Sequence, residues 1–114
     1  MPIDPKQALG AELGEGRTSY TKDQVILYHL GVGAGNPPTD KNELEYCYEK
    51  NLKVLPSFGV IPTFGAMGGL GNVPGLKFNF AMLLHGEQDL HIHQPIPPQA
   101  TITNRGNVAE LWDK

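Results

Sequence analysis

The 114-residue sequence predicts a small α+β domain. Three observations carry this. The first half holds two capped helical stretches, a later stretch repeats its apolar residues at every second position, and glycines and prolines punctuate the boundaries. Length allows one domain with one small core.

The first helix is signalled by Thr21-Lys22-Asp23-Gln24. A Thr with a Gln three residues on satisfies two free amides at a helix start. Val25, Ile26, Leu27, Tyr28 and Leu30 supply its apolar face, and Gly31, Gly33 and Gly35 end it, because glycine enters left-handed backbone cheaply. A second helix is expected over 41–50. Asp40 is its cap, Glu43 follows three residues on, and Leu44, Cys47 and Tyr48 form an apolar stripe. Over 54–75, Phe58, Val60, Ile61, Phe64 and Met67 ask for burial while Pro56, Pro62 and several glycines interrupt any long helix. A short, distorted helix followed by a glycine-rich loop is expected there.

From 76 to 92 the period becomes two. Leu76, Phe78, Phe80, Met82, Leu84, Leu90 and Ile92 share one parity, and His85, Glu87, Asp89, His91 and His93 share the other. This reads as a long strand with a bend or bulge at Gly86. Pro95, Pro97 and Pro98 form a turn, and 100–112 reads as a weaker second strand. Two strands alone make a marginal sheet, so the sequence is expected to be a segment of a longer protein.

Nine basic against twelve acidic residues give a net charge of -3 with no basic stripe, which removes the electrostatic footprint of a nucleic-acid binder. The longest apolar run, 80–84, is far short of the roughly 20 residues that span a bilayer. Cys47 is the sole cysteine, so no intramolecular disulfide is possible and a reducing compartment is expected.

Several side chains invite chemistry. His91 and His93 project from one strand face beside Glu87 and Asp89, yet a zinc site needs three or four ligands, and a solvated strand face is the simpler reading. His85 with Glu87 has the composition of an acid–base pair. Cys47 on a helix face reads as core. Gly31-Val32-Gly33-Ala34-Gly35 follows a helix, not a strand, so it is a helix stop and not a dinucleotide loop. Phe58, Phe64, Met67, Phe78 and Phe80 could line an acyl pocket, but spacing alone does not separate that from an ordinary core, which is the simpler reading.

The runs SYTKDQVILYHLGVGAG, LPSFGVI, VPGLKFNFAMLLHGEQDL, QPIPP and the closing WDK resemble, in order and over almost the whole chain, the amino-terminal half of the MaoC-like 2-enoyl-CoA hydratase 2 family. The resemblance implies a hot-dog fold, an antiparallel sheet wrapped around a helix, here truncated before its last strands and lacking the catalytic second half. It implies hydration of a trans-2-enoyl-CoA to the (3R)-3-hydroxyacyl-CoA in fatty acyl β-oxidation, with no metal or other cofactor.

In that family an Asp and a His in the second half activate the water, within a Y-x-L-S-G-D-x-N-P-x-H-x-D pattern. The segment YHLGVGAGNPPTD, residues 28–40, resembles a decayed copy. Aligned on Asn36-Pro37, it puts Ala34 and Thr39 at the catalytic positions; aligned on Tyr28 and Leu30, it puts Gly33 at the Asp position. No catalytic residue is therefore expected here, and His29 with Asp40 lies outside the required spacing. The resemblance places CoA contacts on His85, Gly86 and Lys114, and an acyl-tail lining on Phe58, Phe64 and Met67.

Implied partners are an enoyl- or hydroxyacyl-CoA ligand, a carboxy-terminal catalytic hot-dog half or subunit, and a second protomer in a dimer, with no nucleic acid and no membrane. Compartment follows source: peroxisomal if eukaryotic, cytoplasmic if bacterial. Two other readings are a non-catalytic subunit completing a heteromeric hydratase and a metal-binding module using His91 and His93.

Overall fold

In the computed structural model, which describes residues 3–113, a one-turn helix α1 (Pro5–Ala8) leads into strand β1 (Glu12–Tyr20). Helix α2 (Lys22–Gly31) follows, then the short α3 (Lys41–Leu44), a 3₁₀ turn at Pro56–Gly59, α4 (Val60–Thr63) and a 3₁₀ stretch at Phe64–Asn72. A last 3₁₀ turn at Phe80–Met82 precedes strand β2 (Ala100–Asn107). The architecture is α+β, a partial hot-dog in which one antiparallel pair, β1 with β2, accompanies α2.

The pairing register can be read from side chains. Ser19 Oγ meets Thr101 Oγ1 at 2.8 Å, and Arg105 Nε donates to Glu15 Oε2 at 3.2 Å. Closer to the start of β1, Gly10 N donates to the Val108 carbonyl at 2.7 Å and Val108 N to the Ala11 carbonyl at 2.9 Å. The register has slipped by one between these two zones. Gly14, at φ +94°, absorbs the extra residue as a β-bulge, and inward-facing positions change parity there, from Leu13 to Gly16, Thr18 and Tyr20.

The chain divides into two compact units. The first takes the residues up to Arg17, Thr63–Asp89 and those from Thr103 onward. Its core is Ala8, Val73, Leu76 and Val108, with Leu13, Leu70 and Phe78 packed against them. Asp4 caps α1 through Lys6 N, and a bridge pairs Ile3 with Leu76. A side chain at Gly69 would collide with the Leu13 carbonyl, which explains a glycine in that 3₁₀ stretch.

The second unit takes Thr18–Pro62 and Leu90–Ile102. Thr21 and Gln24 form the expected reciprocal cap, with Gln24 N to Thr21 Oγ1 at 3.3 Å and Thr21 N to Gln24 Oε1 at 2.9 Å. Helix α2 buries Val25 and His29, and its unit's core adds Tyr20, Leu52 and Phe58, with Ile96, Ala100 and Ile102 around them.

Three expectations change. The helix over 41–50 stops after one turn: Tyr46 and Cys47 make tighter bonds, back to Glu43 and Leu44, and the Tyr46 carbonyl turns to His29 instead of continuing the helix. The alternating stretch 76–92 is not a strand. The Asn79 side chain accepts from Ala81 N at 3.0 Å and turns the chain at Phe80–Met82, a local bond that competes with extended backbone. Alternation alone does not hold a strand, which needs a neighbour for its N–H and C=O groups; among the described residues β1 and β2 pair with each other. The second strand exists but ends at Asn107. Strand β1 was not expected at all.

Candidate functional site

Residues 28–40 form the segment that resembles the family's catalytic pattern. Ala34 N donates to the His29 carbonyl at 2.9 Å, closing the turn after α2, and Thr39 is exposed. A methyl group and an isolated hydroxyl cannot act as the proton-transferring pair that hydration requires. His29 is fully buried, its Nδ1 2.5 Å from the Tyr46 carbonyl and its Nε2 accepting from Leu55 N at 3.0 Å. The Asp40 carboxylate accepts from Asn42 N at 2.8 Å and Glu43 N at 3.4 Å as the cap of α3. His29 and Asp40 are each held by backbone groups and hold the fold.

The segment expected to approach CoA is open. His85 is exposed, with Nε2 3.0 Å from Gln88 Oε1. A Cβ at Gly86 would meet nothing within 4 Å. Lys114 lies outside the described residues. His91 and His93 are exposed, and no group of three or more His, Cys, Asp or Glu able to hold a metal ion occurs among the described residues.

Of the residues expected to line an acyl pocket, Phe58 is 1% exposed. Its ring meets Tyr20 edge-on at 5.0 Å and Tyr28 at 5.4 Å. With Leu27 and Ile61 these residues border a cavity of about 290 Å³ in the second unit. Burial raises the Tyr20 phenol above its usual range, and its hydroxyl donates to the Pro97 carbonyl at 2.7 Å. Phe64 is 65% exposed and Met67 40%. Both lie on the 3₁₀ stretch of the first unit.

A larger apolar groove lies in the first unit. It measures about 590 Å³ and is lined by Leu70, Leu76, Phe78, Met82, Leu83 and Leu84, with Lys77 and Asn79 as its polar members. Its volume falls in the range of small-molecule sites. Leu76, Phe78, Met82 and Leu84 share the parity that predicts one face of a strand. The same residues instead surround a groove because the backbone turns at Phe80–Met82.

Comparison with known proteins settles the family. Residues 18–114 match the model of the MFE-2 hydratase 2 N-terminal domain. The chain belongs to that family. It is 42% identical over 113 residues to peroxisomal multifunctional enzyme type 2 of Mus musculus, covering 94% of this chain and 15% of that protein. It is 36% identical to the peroxisomal enoyl-CoA hydratase 2 of Arabidopsis thaliana, over 93% of this chain and 36% of the relative. Enoyl-CoA hydratase ChsH3 of Mycobacterium tuberculosis is 35% identical, over 100% and 41%. The chain thus spans less than half the length of these relatives. The family is one of enoyl-CoA hydratases, and its matched region takes in α2, the groove segment and β2. Among the described residues no helix is long and apolar enough to cross a membrane.

Proposed function

We propose that this chain is the acyl- and CoA-binding amino-terminal half of a (3R)-specific 2-enoyl-CoA hydratase of fatty acyl β-oxidation. The Asp and His that activate water belong to a carboxy-terminal hot-dog half or subunit. The observation that carries the reading is the apolar groove of about 590 Å³ in a chain of this hydratase family. An acyl tail gains about 0.8 kcal/mol for each methylene removed from water, so a medium-length chain supplies several kcal/mol for positioning the thioester before ordering costs are subtracted.

The reaction adds a hydroxyl to C3 and a proton to C2 of the enoyl group. It is redox-neutral and needs no cofactor beyond the CoA of the substrate. Ala34 and Thr39 leave this half without the acid–base pair, so its contribution is binding and orientation. By family resemblance His85 and Gly86 would face the CoA: an imidazole offers a polar contact and a glycine allows close backbone approach. Phe58, Phe64, Met67 and Lys114 remain candidates by family position, Phe58 beside the smaller cavity. The working form is a dimer containing both halves, without nucleic acid or membrane, peroxisomal in a eukaryote and cytoplasmic in a bacterium.

The test is hydration of crotonyl-CoA and of a medium-chain trans-2-enoyl-CoA by the purified 114-residue chain, alongside calorimetric titration with a medium-chain acyl-CoA. Binding without turnover is expected. Formation of (3R)-hydroxyacyl-CoA by this chain alone would show that the acid–base pair lies within it, and absence of binding would remove the acyl role.

A further inference from the structure

His29 stands in the last turn of α2, wholly buried, with both ring nitrogens engaged by backbone groups. A backbone amide can only donate, so Nε2, which faces Leu55 N at 3.0 Å, is the accepting nitrogen. The ring proton therefore sits on Nδ1 and is donated to the Tyr46 carbonyl. This tautomer is the neutral imidazole. A further proton has only Nε2 to occupy, where it would confront the Leu55 N–H, donor against donor.

We propose that His29 is an acid-sensitive clasp. Its protonation frees the segment 46–55 from the C-terminal end of α2 and loosens Leu55, the residue that leads into the Pro56–Gly59 turn carrying Phe58. The proposal is independent of the hydratase reading.

Of the groups that face the ring, the C-terminal end of α2 favours a cation. The Tyr28 and Tyr46 rings lie edge-on at 6.1 and 5.6 Å. A proton on Nε2 leaves the buried Leu55 N–H without its acceptor. The acidic groups of the adjoining elements are committed elsewhere. Glu43 Oε2 accepts from Gly35 N at 2.7 Å, Glu45 pairs with Lys53 at 2.8 Å, and Asp40 caps α3. Cys47 Sγ is directed to the Glu43 carbonyl, Glu49 and Lys50 are exposed, and Asp23 is at the far end of α2. The 55–59 turn has no ionisable side chain, and the Tyr20 hydroxyl is bonded to Pro97.

The test is NMR of the full 114-residue chain between about pH 7.5 and about pH 5, where histidines charge. Imidazole nitrogen shifts report His29, and amide-exchange protection reports Leu55, with Val25 in α2 as reference. The expected result is a fall of about tenfold or more in Leu55 protection between the neutral and the acid end, while Val25 is unchanged. His29→Asn, whose amide donates and accepts without titrating, should hold Leu55 protection level. Retention of Leu55 protection to the acid end, simultaneous loss at Val25, or the same acid response in His29→Asn overturns the clasp. Should His29→Asn fail to fold, the protection of Leu55 against that of Val25 in the unaltered chain decides alone.

Discussion

The Tyr20 hydroxyl donates a 2.7 Å hydrogen bond to the carbonyl of Pro97, joining the last residue of β1 to the proline-rich turn before β2. This bond ties residues 77 positions apart. Because burial raises the phenol's pKa above its ordinary value of 10.0, the folded chain holds this proton more tightly than the unfolded one. The contribution is complete below the unfolded value and is lost as pH rises through the raised folded value. Tyr20→Phe is expected to cost about 1 kcal/mol near neutrality and to remove the tyrosine-linked part of the alkaline decline. Urea unfolding at neutral and alkaline pH checks both. An unchanged alkaline slope in the variant would mean that other groups govern it.

Phe58 and Phe64 separate core from surface. Phe58→Ala removes a side chain wedged between Tyr20 and Tyr28, and is expected to cost about 3–5 kcal/mol, a large fraction of the stability of an ordinary domain. Phe64→Ser, at a position 65% exposed, should stay within about 0.5 kcal/mol. Thermal denaturation followed by circular dichroism distinguishes them. If Phe64→Ser proves as damaging as Phe58→Ala, the Phe64–Asn72 stretch packs more tightly in solution.

Gly86 isolates ligand approach from folding. A methyl group there meets no neighbour within 4 Å, so Gly86→Ala should leave stability within about 0.5 kcal/mol of the parent. If CoA approaches the backbone at this point, the same methyl weakens acyl-CoA binding several-fold. Unchanged affinity in calorimetric titration would move the CoA contact elsewhere.

The parts of the fold legible in the sequence are those decided by local bonds. Thr21 with Gln24 announces α2, Asp40 announces α3, and the alternation of Ala100, Ile102, Asn104 and Gly106 marks β2. What escaped was decided by bonds between distant residues. Strand β1 hid because the bulge at Gly14 breaks its alternation, and its partner is more than 80 residues away. The second helix was overdrawn because its stripe of Leu44, Cys47 and Tyr48 does not reveal that His29 takes the Tyr46 carbonyl. For the candidate site, parity groups Leu76, Phe78, Met82 and Leu84 as one face of a strand but cannot reveal the Asn79 turn that sets them around a groove.

Met82 offers the sharpest test of that groove. It is 78% exposed, so its replacement leaves the core intact, whereas Leu76 is both groove lining and core and its truncation would confuse folding with binding. Met82→Lys puts a charge where the outer part of an acyl tail would lie. Withdrawing about two methylenes from contact is worth roughly 1.6 kcal/mol, which is close to tenfold in affinity. A medium-chain acyl-CoA should therefore bind about tenfold more weakly to Met82→Lys, while butyryl-CoA, too short to reach that wall, should change less than about twofold. Calorimetric titration of both ligands against both proteins gives the comparison. Equal weakening would place Met82 near the CoA portion, and no change with either ligand would mean that the tail lies outside this groove.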